Sequence, residues 1–361
     1  MLFSPWQIDG IQMPNRLVRS ATAEGAAEPN VGRPTPAMVE FYKRLAAGGV
    51  GLIISGHVAV TREGRCSRTM TALYDDAFVP AFAEMVTACH AQGTPIVCQL
   101  NHGGRQVSLT HEGIRPVCPS AVQVNPDKPA PAELSDAEIR QIVADFGSAA
   151  GRAKAAGFDG VQIHSAHGYL VSAFNSPLTN RRTDRWGGSA EKRRTFLREV
   201  YSAMREAVGA DYPVLVKQNV ADFHPDGLTA PEAVEICAML DELGVAAIEL
   251  SGGIAETIPV AFRAKELRQT GETVFFADEC RAIRERARCP LILTGGIRTK
   301  ATAEGLLAEG ICDGIGLCRP FIREPDLPRK WQEGVSDRAA CISCGGCKQN
   351  PERCNYCVLD Q

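Results

Sequence analysis

Apolar residues in this chain collect into short runs, and most runs follow a helix-like stretch that ends in small or charged residues. Leu45-Ala46-Ala47-Gly48 leads into Val50-Gly51-Leu52-Ile53-Ile54, and Ala155-Ala156-Gly157 leads into Gly160-Val161-Gln162-Ile163. Leu240-Asp241-Glu242-Leu243-Gly244 precedes Ala246-Ala247-Ile248-Glu249-Leu250, and Leu306-Leu307-Ala308-Glu309-Gly310 precedes Gly314-Ile315-Gly316-Leu317. Glycine reaches the left-handed conformation that closes a helix, and the short β-rich run after it reads as a buried strand. Proline opens three more runs: Pro95 before Ile96-Val97, Pro213 before Val214-Leu215-Val216, and Pro290 before Leu291-Ile292-Leu293. With Leu17-Val18-Arg19-Ser20 near the start, the pattern predicts eight strands separated by helices.

Such alternation implies right-handed crossovers and a parallel sheet. Eight units in 361 residues predict an α/β chain of the (β/α)8 TIM barrel type, since a doubly wound sheet would want a Gly-x-Gly-x-x-Gly turn that is not found. Composition fits: the chain is 45% hydrophobic and 22% charged, ordinary globular usage. A formal net charge of −3 supplies no basic field for nucleic acid or an anionic membrane. Met1 to Gly10 alternates apolar and polar residues without the apolar core of a signal peptide, and no run is long enough to cross a bilayer. The expectation is a cytoplasmic, soluble protein.

In a barrel of this kind chemistry sits at the C-terminal ends of the strands. The third predicted strand ends in Gln99-Leu100-Asn101-His102-Gly103-Gly104-Arg105, and the fourth in His164-Ser165-Ala166-His167-Gly168-Tyr169-Leu170. The fifth ends in Lys217-Gln218-Asn219, the seventh in Thr294-Gly295-Gly296, and the eighth in Gly316-Leu317-Cys318-Arg319-Pro320. Glycine turns let backbone N–H groups approach a phosphate, and Arg319 adds a positive fork. Each of these also fits a tight turn or a helix cap, but together they predict a phosphate site. His164 and His167 have a spacing that a metal can use, yet zinc wants a third protein ligand. Two histidines at one strand end followed by Tyr169 read better as a donor pair beside an acid.

Five segments, Asn15–Thr22, Gln99–Arg105, His164–Leu170, Asn180–Ser189 and Gly316–Phe321, run in one order across nearly the whole chain. In that combination they resemble the old yellow enzyme family of flavin oxidoreductases, and within it the branch that includes the barrel domain of bacterial 2,4-dienoyl-CoA reductase. The resemblance implies FMN across the barrel mouth, its phosphate in the loops after strands seven and eight at Gly295, Gly296, Cys318 and Arg319. Ala21, Thr22 and Gly56 would also line the flavin. Gln99 would bond the polar edge of the ring, and Lys217 would sit near flavin N1 and the C2 carbonyl, where relatives often have arginine. A Thr or Cys often stands beside the C4 carbonyl; that place falls on Ala23 or, one residue earlier, on Thr22. Asn180, Arg182, Asp184, Gly187 and Gly188 read as a loop clamp, with Trp186 where relatives carry Tyr or Phe.

The resemblance also implies a reaction. NADH or NADPH would reduce the flavin at N5 and leave, and an α,β-unsaturated carbonyl compound would then take the same place, giving ping-pong kinetics. His164 and His167 would bond the substrate oxygen, and Tyr169 would protonate the α-carbon. Partners would be a small enone or enoyl substrate and further copies of the chain in a homo-oligomer, with no nucleic acid and no membrane.

The chain has fourteen cysteines. Most are scattered through apolar runs, as Cys98 is, but Cys341, Cys344, Cys347, Cys354 and Cys357 crowd the end. This predicts a barrel over 1–335 and a cysteine-rich tail over 336–361, in a reducing compartment. Thiolates two residues apart can face an iron–sulfur cluster or zinc; a thiol-rich tail without metal is the third reading. The 2,4-dienoyl-CoA reductase branch binds a [4Fe–4S] cluster just after the barrel, although three residues separate its second and third cysteines and two do here. The preferred ligand set is Cys341, Cys344, Cys347 and Cys357, with Cys354 spare. Two alternatives follow: a dienoyl-CoA-type reductase, or a flavin electron-transfer subunit that receives electrons from a partner through the cluster.

Overall fold

The computed structural model describes residues 1–108, 113–257 and 273–360. Its centre is a ring of eight parallel strands: β1 (Leu17–Arg19), β2 (Leu52–Ile54), β3 (Ile96–Asn101), β4 (Gly160–Ser165), β5 (Val214–Asn219), β6 (Ile248–Ser251), β7 (Leu291–Thr294) and β8 (Gly314–Leu317). They neighbour one another in the order β2-β1-β8-β7-β6-β5-β4-β3, and β2 also pairs with β3, which closes the ring. The (β/α)8 barrel expected from the sequence is present. Every residue of these strands is buried, which is why they read as continuous apolar runs rather than alternating ones. Val50, Gly51, Ala246 and Ala247 lead into their strands instead of belonging to them.

The first residues do more than the sequence reading assigned. Trp6–Ile8 and Ile11–Met13 pair antiparallel, turned by Asp9 and Gly10 at φ 39° and 91°. Two successive positive φ values suit a tight hairpin, and Asp-Gly is a preferred pair for it. Ile8, Ile11 and Met13 pack against Val18, Leu52, Ile54, Val97, Leu215 and Ile292 from the barrel strands. The hairpin thus plugs the barrel's interior with apolar side chains, leaving the other end for chemistry.

Outer helices begin on strong caps. Ser135 and Glu138 form a reciprocal capping box at the start of Asp136–Ala155, as do Thr229 and Glu232 at the start of Ala230–Glu242. After β4 the chain is clamped as the sequence suggested. The Asn180 amide donates to the carbonyls of Phe174 and Trp186, both at 2.8 Å. Arg182 pairs with Asp184 and reaches the Pro119 and Leu134 carbonyls at 3.0 and 2.6 Å. Trp186 is buried, its indole donating to Asp136 at 2.6 Å.

Helix Leu327–Glu333 ends at Gly334 in the left-handed region, φ 71°, and the cysteine-rich tail follows. Lys348–Asn350 and Cys354–Tyr356 form a second small hairpin. It lies on the segment after β1, where the Gln349 amide donates to the Ala23 carbonyl at 2.6 Å. Among the described residues no helix is long and apolar enough to cross a membrane.

If the N-terminal hairpin seals the barrel, Ile11→Ala, which empties a buried site, lowers unfolding stability by about 2–4 kcal/mol. Urea denaturation reads the change, and an unchanged midpoint would show that the hairpin is dispensable.

Candidate active site

Strand register assembles the site. Lys217 on β5 stands level with His164 on β4 and with Glu249 on β6, and Gln99 on β3 is level with Gln162 on β4. Level residues on adjacent parallel strands point to the same side of the sheet. A layer of polar side chains therefore lies above the apolar plug. The Lys217 ammonium donates to Ser20 Oγ at 2.9 Å and to Glu249 Oε1 at 3.0 Å. Ser20 donates its own hydroxyl to the same carboxylate. The Gln162 amide donates to Glu249 Oε2 at 2.9 Å and accepts from Gln99 Nε2 at 2.7 Å. All five groups are buried.

Above this layer opens a cleft of about 280 Å³. Ala21, Thr22, Lys217, Gly295, Gly296, Cys318 and Arg319 line it, together with His167, Ser251, Phe275 and Phe276. Gly295 and Gly296 have φ 100° and 81°, and a Cβ on Gly296 would run into the Thr273 carbonyl. Only glycine can turn the chain there. Arg319 forms no ion pair among the described residues, so its fork is available to an anion. Glycine turns and a guanidinium at one end, with an ammonium and a glutamine-linked layer beneath, form a donor set that fits FMN: phosphate at the turns, polar ring edge over Lys217.

Three side chains predicted as catalytic from the sequence gather together, and one of them, His167, lines the cleft. The His164 ring centroid is 5.2 Å from that of His167 and 4.8 Å from that of Tyr169. His164 Nδ1 accepts the Ala166 N–H at 3.3 Å, which places its hydrogen on Nε2. His167 is held at φ 63°, a costly conformation for a side chain with Cβ. Its N–H donates to Asn219 Oδ1 at 3.1 Å, and its Nε2 lies 2.8 Å from Ser251 Oγ. The Gln106 amide donates to the His167 carbonyl at 2.6 Å. Burial holds His164 well below the usual imidazole range, with His167 as the next contributor, and brings His167 down to about 3. Both rings are neutral donors at pH 7. Burial pushes the Tyr169 phenol up, so it keeps its proton.

A fourth ring belongs to the group. His57 lies 5.2 Å from Tyr169 and 6.2 Å from His164 by ring centroids, with its Nδ1 3.0 Å from the Asn101 amide nitrogen. Neither His57 nor Glu249 was among the site residues expected from the sequence. The available signals were a lone histidine just past β2 and a charged residue inside an apolar barrel strand. At the rim, Arg105 grips Glu256 with two bonds of 2.8 and 2.9 Å.

Not every expected residue meets the cleft. Gly56 turns its N–H to Glu24 Oε1 at 2.8 Å, and the space beside its Cα is filled by that carboxylate. Gln99 is bonded beneath the cleft to Gln162. Thr22, rather than Ala23, lines the opening, its hydroxyl donating to the Ser20 carbonyl at 3.2 Å. In the tail, burial raises the Cys347 thiol, and its neighbours Cys341, Cys357 and Cys344 raise it further, while Arg319 opposes them. Cys354 instead lies buried near Glu24, Arg44 and Arg19. Among the described residues no three ligands stand close enough to hold a single metal ion, so the tail as placed here does not fit zinc.

Fold and site together define a class, an oxidoreductase barrel. Residues 1–338 match the NADH:flavin oxidoreductase / NADH oxidase family, and the chain belongs to that family. It is 39% identical over 349 residues to a metal reductase of Desulforamulus reducens, an alignment covering 96% of this chain and 51% of that protein. Among solved structures, a 2-naphthoyl-CoA reductase in complex with 2-naphthoyl-CoA superposes with TM-score 0.88 at 27% identity, over 92% of this chain and 52% of that one. An old yellow enzyme homologue of Zymomonas mobilis superposes with TM-score 0.81 at 28% identity, over 98% of both. The chain spans about half the length of the metal reductase and of the 2-naphthoyl-CoA reductase.

His57 and His102 are both depressed by burial to about 4 from an ordinary 6.5. Unfolding frees them to take up protons, so the unfolded chain gains on the native one as pH falls from about 6.5 towards 4. Urea midpoints should drop across that window, and the double variant His57→Gln/His102→Gln should show a shallower slope. Equal slopes would contradict the burial argument.

Proposed function

We propose that this chain binds FMN in the cleft and uses it to reduce the activated C=C bond of an α,β-unsaturated carbonyl compound with electrons from NADH or NADPH. The observation that carries the reading is the clustering of His164 and Tyr169 around His167, which lines a cleft that also holds Lys217 and the Gly295-Gly296-Arg319 cradle. Membership of the NADH:flavin oxidoreductase / NADH oxidase family supports it.

When bound, FMN would supply two-electron hydride chemistry between a nicotinamide and the substrate's β-carbon. Arg319 and the backbone of Gly295 and Gly296 hold the phosphate. Lys217 and Thr22, which line the cleft, would hold the ring's polar edge, with the Gln99–Gln162 pair in the layer beneath. His164 presents Nε2–H to the substrate oxygen. With Ser251 donating to His167 Nε2, the second donor is His167 Nδ1–H. Two neutral donors already fixed in place stabilise the charge that gathers on that oxygen without any change in their own protonation. Tyr169 Oη then gives its proton to the α-carbon, and burial keeps that proton in place until carbanion character draws it off.

A second reading rests on a separate observation. Cys347 feels the charges of Cys341, Cys357 and Cys344 and that of Arg319, which lines the cleft. A tail that took an iron–sulfur cluster there would suit a reductase of coenzyme A thioesters, fed by a partner protein. The fold's likeness to 2-naphthoyl-CoA reductase favours this substrate class. Anaerobic purification and an absorption spectrum separate the two readings. Flavin bands alone support the first, and flavin bands with a broad iron–sulfur shoulder support the second. A colourless protein that takes up no FMN contradicts both.

In the FMN-loaded protein, Tyr169→Phe should slow reoxidation by cyclohexenone about 10²–10⁴-fold, the usual worth of a general acid. Reduction by NADH should stay near the wild-type rate. Stopped-flow absorbance reads both halves, and an equal loss in each would remove Tyr169 from the protonation step.

A further inference from the structure

Glu249 is fully buried in β6, between Ile248 and Leu250. A carboxylate in such a place is costly unless it is paired and hydrogen-bonded. Here it is both: Lys217 at 3.0 Å and the Ser20 hydroxyl on Oε1, and the Gln162 amide at 2.9 Å on Oε2. Through Gln162 it also reaches Gln99, whose amide donates at 2.7 Å. Lys217 lines the cleft and Glu249 does not. Lys217, which would meet the polar edge of the ring, and the Gln99–Gln162 pair beneath the cleft therefore both hang from one carboxylate.

We propose that Glu249 is a positioning residue for the redox reaction: it anchors the Lys217 ammonium under the cleft and offsets its charge, holding the potential of the bound flavin below the value a lone cation would give. This rests on the reading that FMN fills the cleft. A fixed cation beside a group that gains negative charge favours the reduced state. A carboxylate 3.0 Å from that cation turns it, seen from the ring, into a dipole whose field falls off faster with distance. The full hydrogen-bonding of Glu249 keeps Lys217 at one spot, so the ring meets a defined but weakened positive edge. A merely structural carboxylate would brace the barrel floor and leave the flavin's redox equilibrium unmoved.

The test is the midpoint potential of FMN in the loaded protein, measured by anaerobic spectroelectrochemistry. Glu249→Gln unmasks the ammonium and should raise the potential by about tenfold in the reduction equilibrium, which is about 30 mV for a two-electron couple. Lys217→Met leaves the carboxylate unpaired and should lower it by a similar factor. The double variant Lys217→Met/Glu249→Gln removes both charges and should return close to wild type. Should Glu249→Gln not fold, the double variant, which buries no unpaired charge, still decides the matter. A double variant whose potential lies about tenfold below wild type in the same equilibrium overturns the inference, as does an FMN-loaded Glu249→Gln with the wild-type potential. Wild-type protein that takes up no FMN overturns the function reading and this inference together, whereas FMN-loaded protein with unmoved potentials overturns this inference alone.

Discussion

Closure of the barrel governs everything above it. Pairing of β2 with β3 completes the ring, and a closed parallel ring leaves no freedom to slide one strand past the next without flipping its side chains. That constraint sets Lys217 level with His164 on one side and Glu249 on the other. It also stacks the interior by chemistry: the hairpin's Ile8, Ile11 and Met13 with apolar strand residues below, then the Ser20, Gln99, Gln162, Lys217 and Glu249 layer, then the rings of His164, His167 and Tyr169. The lower layer is apolar, and the polar groups above it are held by bonds to one another.

Such a stack suits chemistry that must stabilise charge without storing any. The three histidines of the ring group are driven towards neutrality by burial, and the Lys217 ammonium that lines the cleft is paired. On the proposed reading, the described groups of the site need not change protonation as a substrate oxygen gathers charge, except the Tyr169 phenol, which would give up its proton. Preorganised neutral donors of this kind avoid the cost of reorienting solvent. The strained His167 backbone, fixed by Asn219 from one side and Gln106 from the other, is where the fold gives up stability to aim a donor.

Much of this was legible in the chain because glycine or proline marks where seven of the eight strands of the ring start. His164, His167, Tyr169, Lys217 and Arg319 were legible for a related reason, since each follows or ends an apolar run and such positions face the mouth. What escaped depends on contacts between distant segments. Glu249 reads as one acid in an apolar run until the ring brings Lys217, 32 residues earlier, beside it. Gly56 carried a cofactor expectation, but its space is set by Glu24 from a different loop. The Asp9-Gly10 hairpin was a local signal that could have been read, because alternating apolar residues flank a dipeptide that favours positive φ at both positions.

The account turns on one pocket serving two reactants in succession. Initial-rate kinetics with NADH and cyclohexenone, each varied at several fixed levels of the other, test this most directly. Parallel double-reciprocal lines, with each reactant inhibiting competitively against the other at high concentration, are the expected result. Lines that intersect to the left of the axis would mean both reactants bind at once, and the single site built from His164, His167, Tyr169 and the cleft beneath them would be wrong.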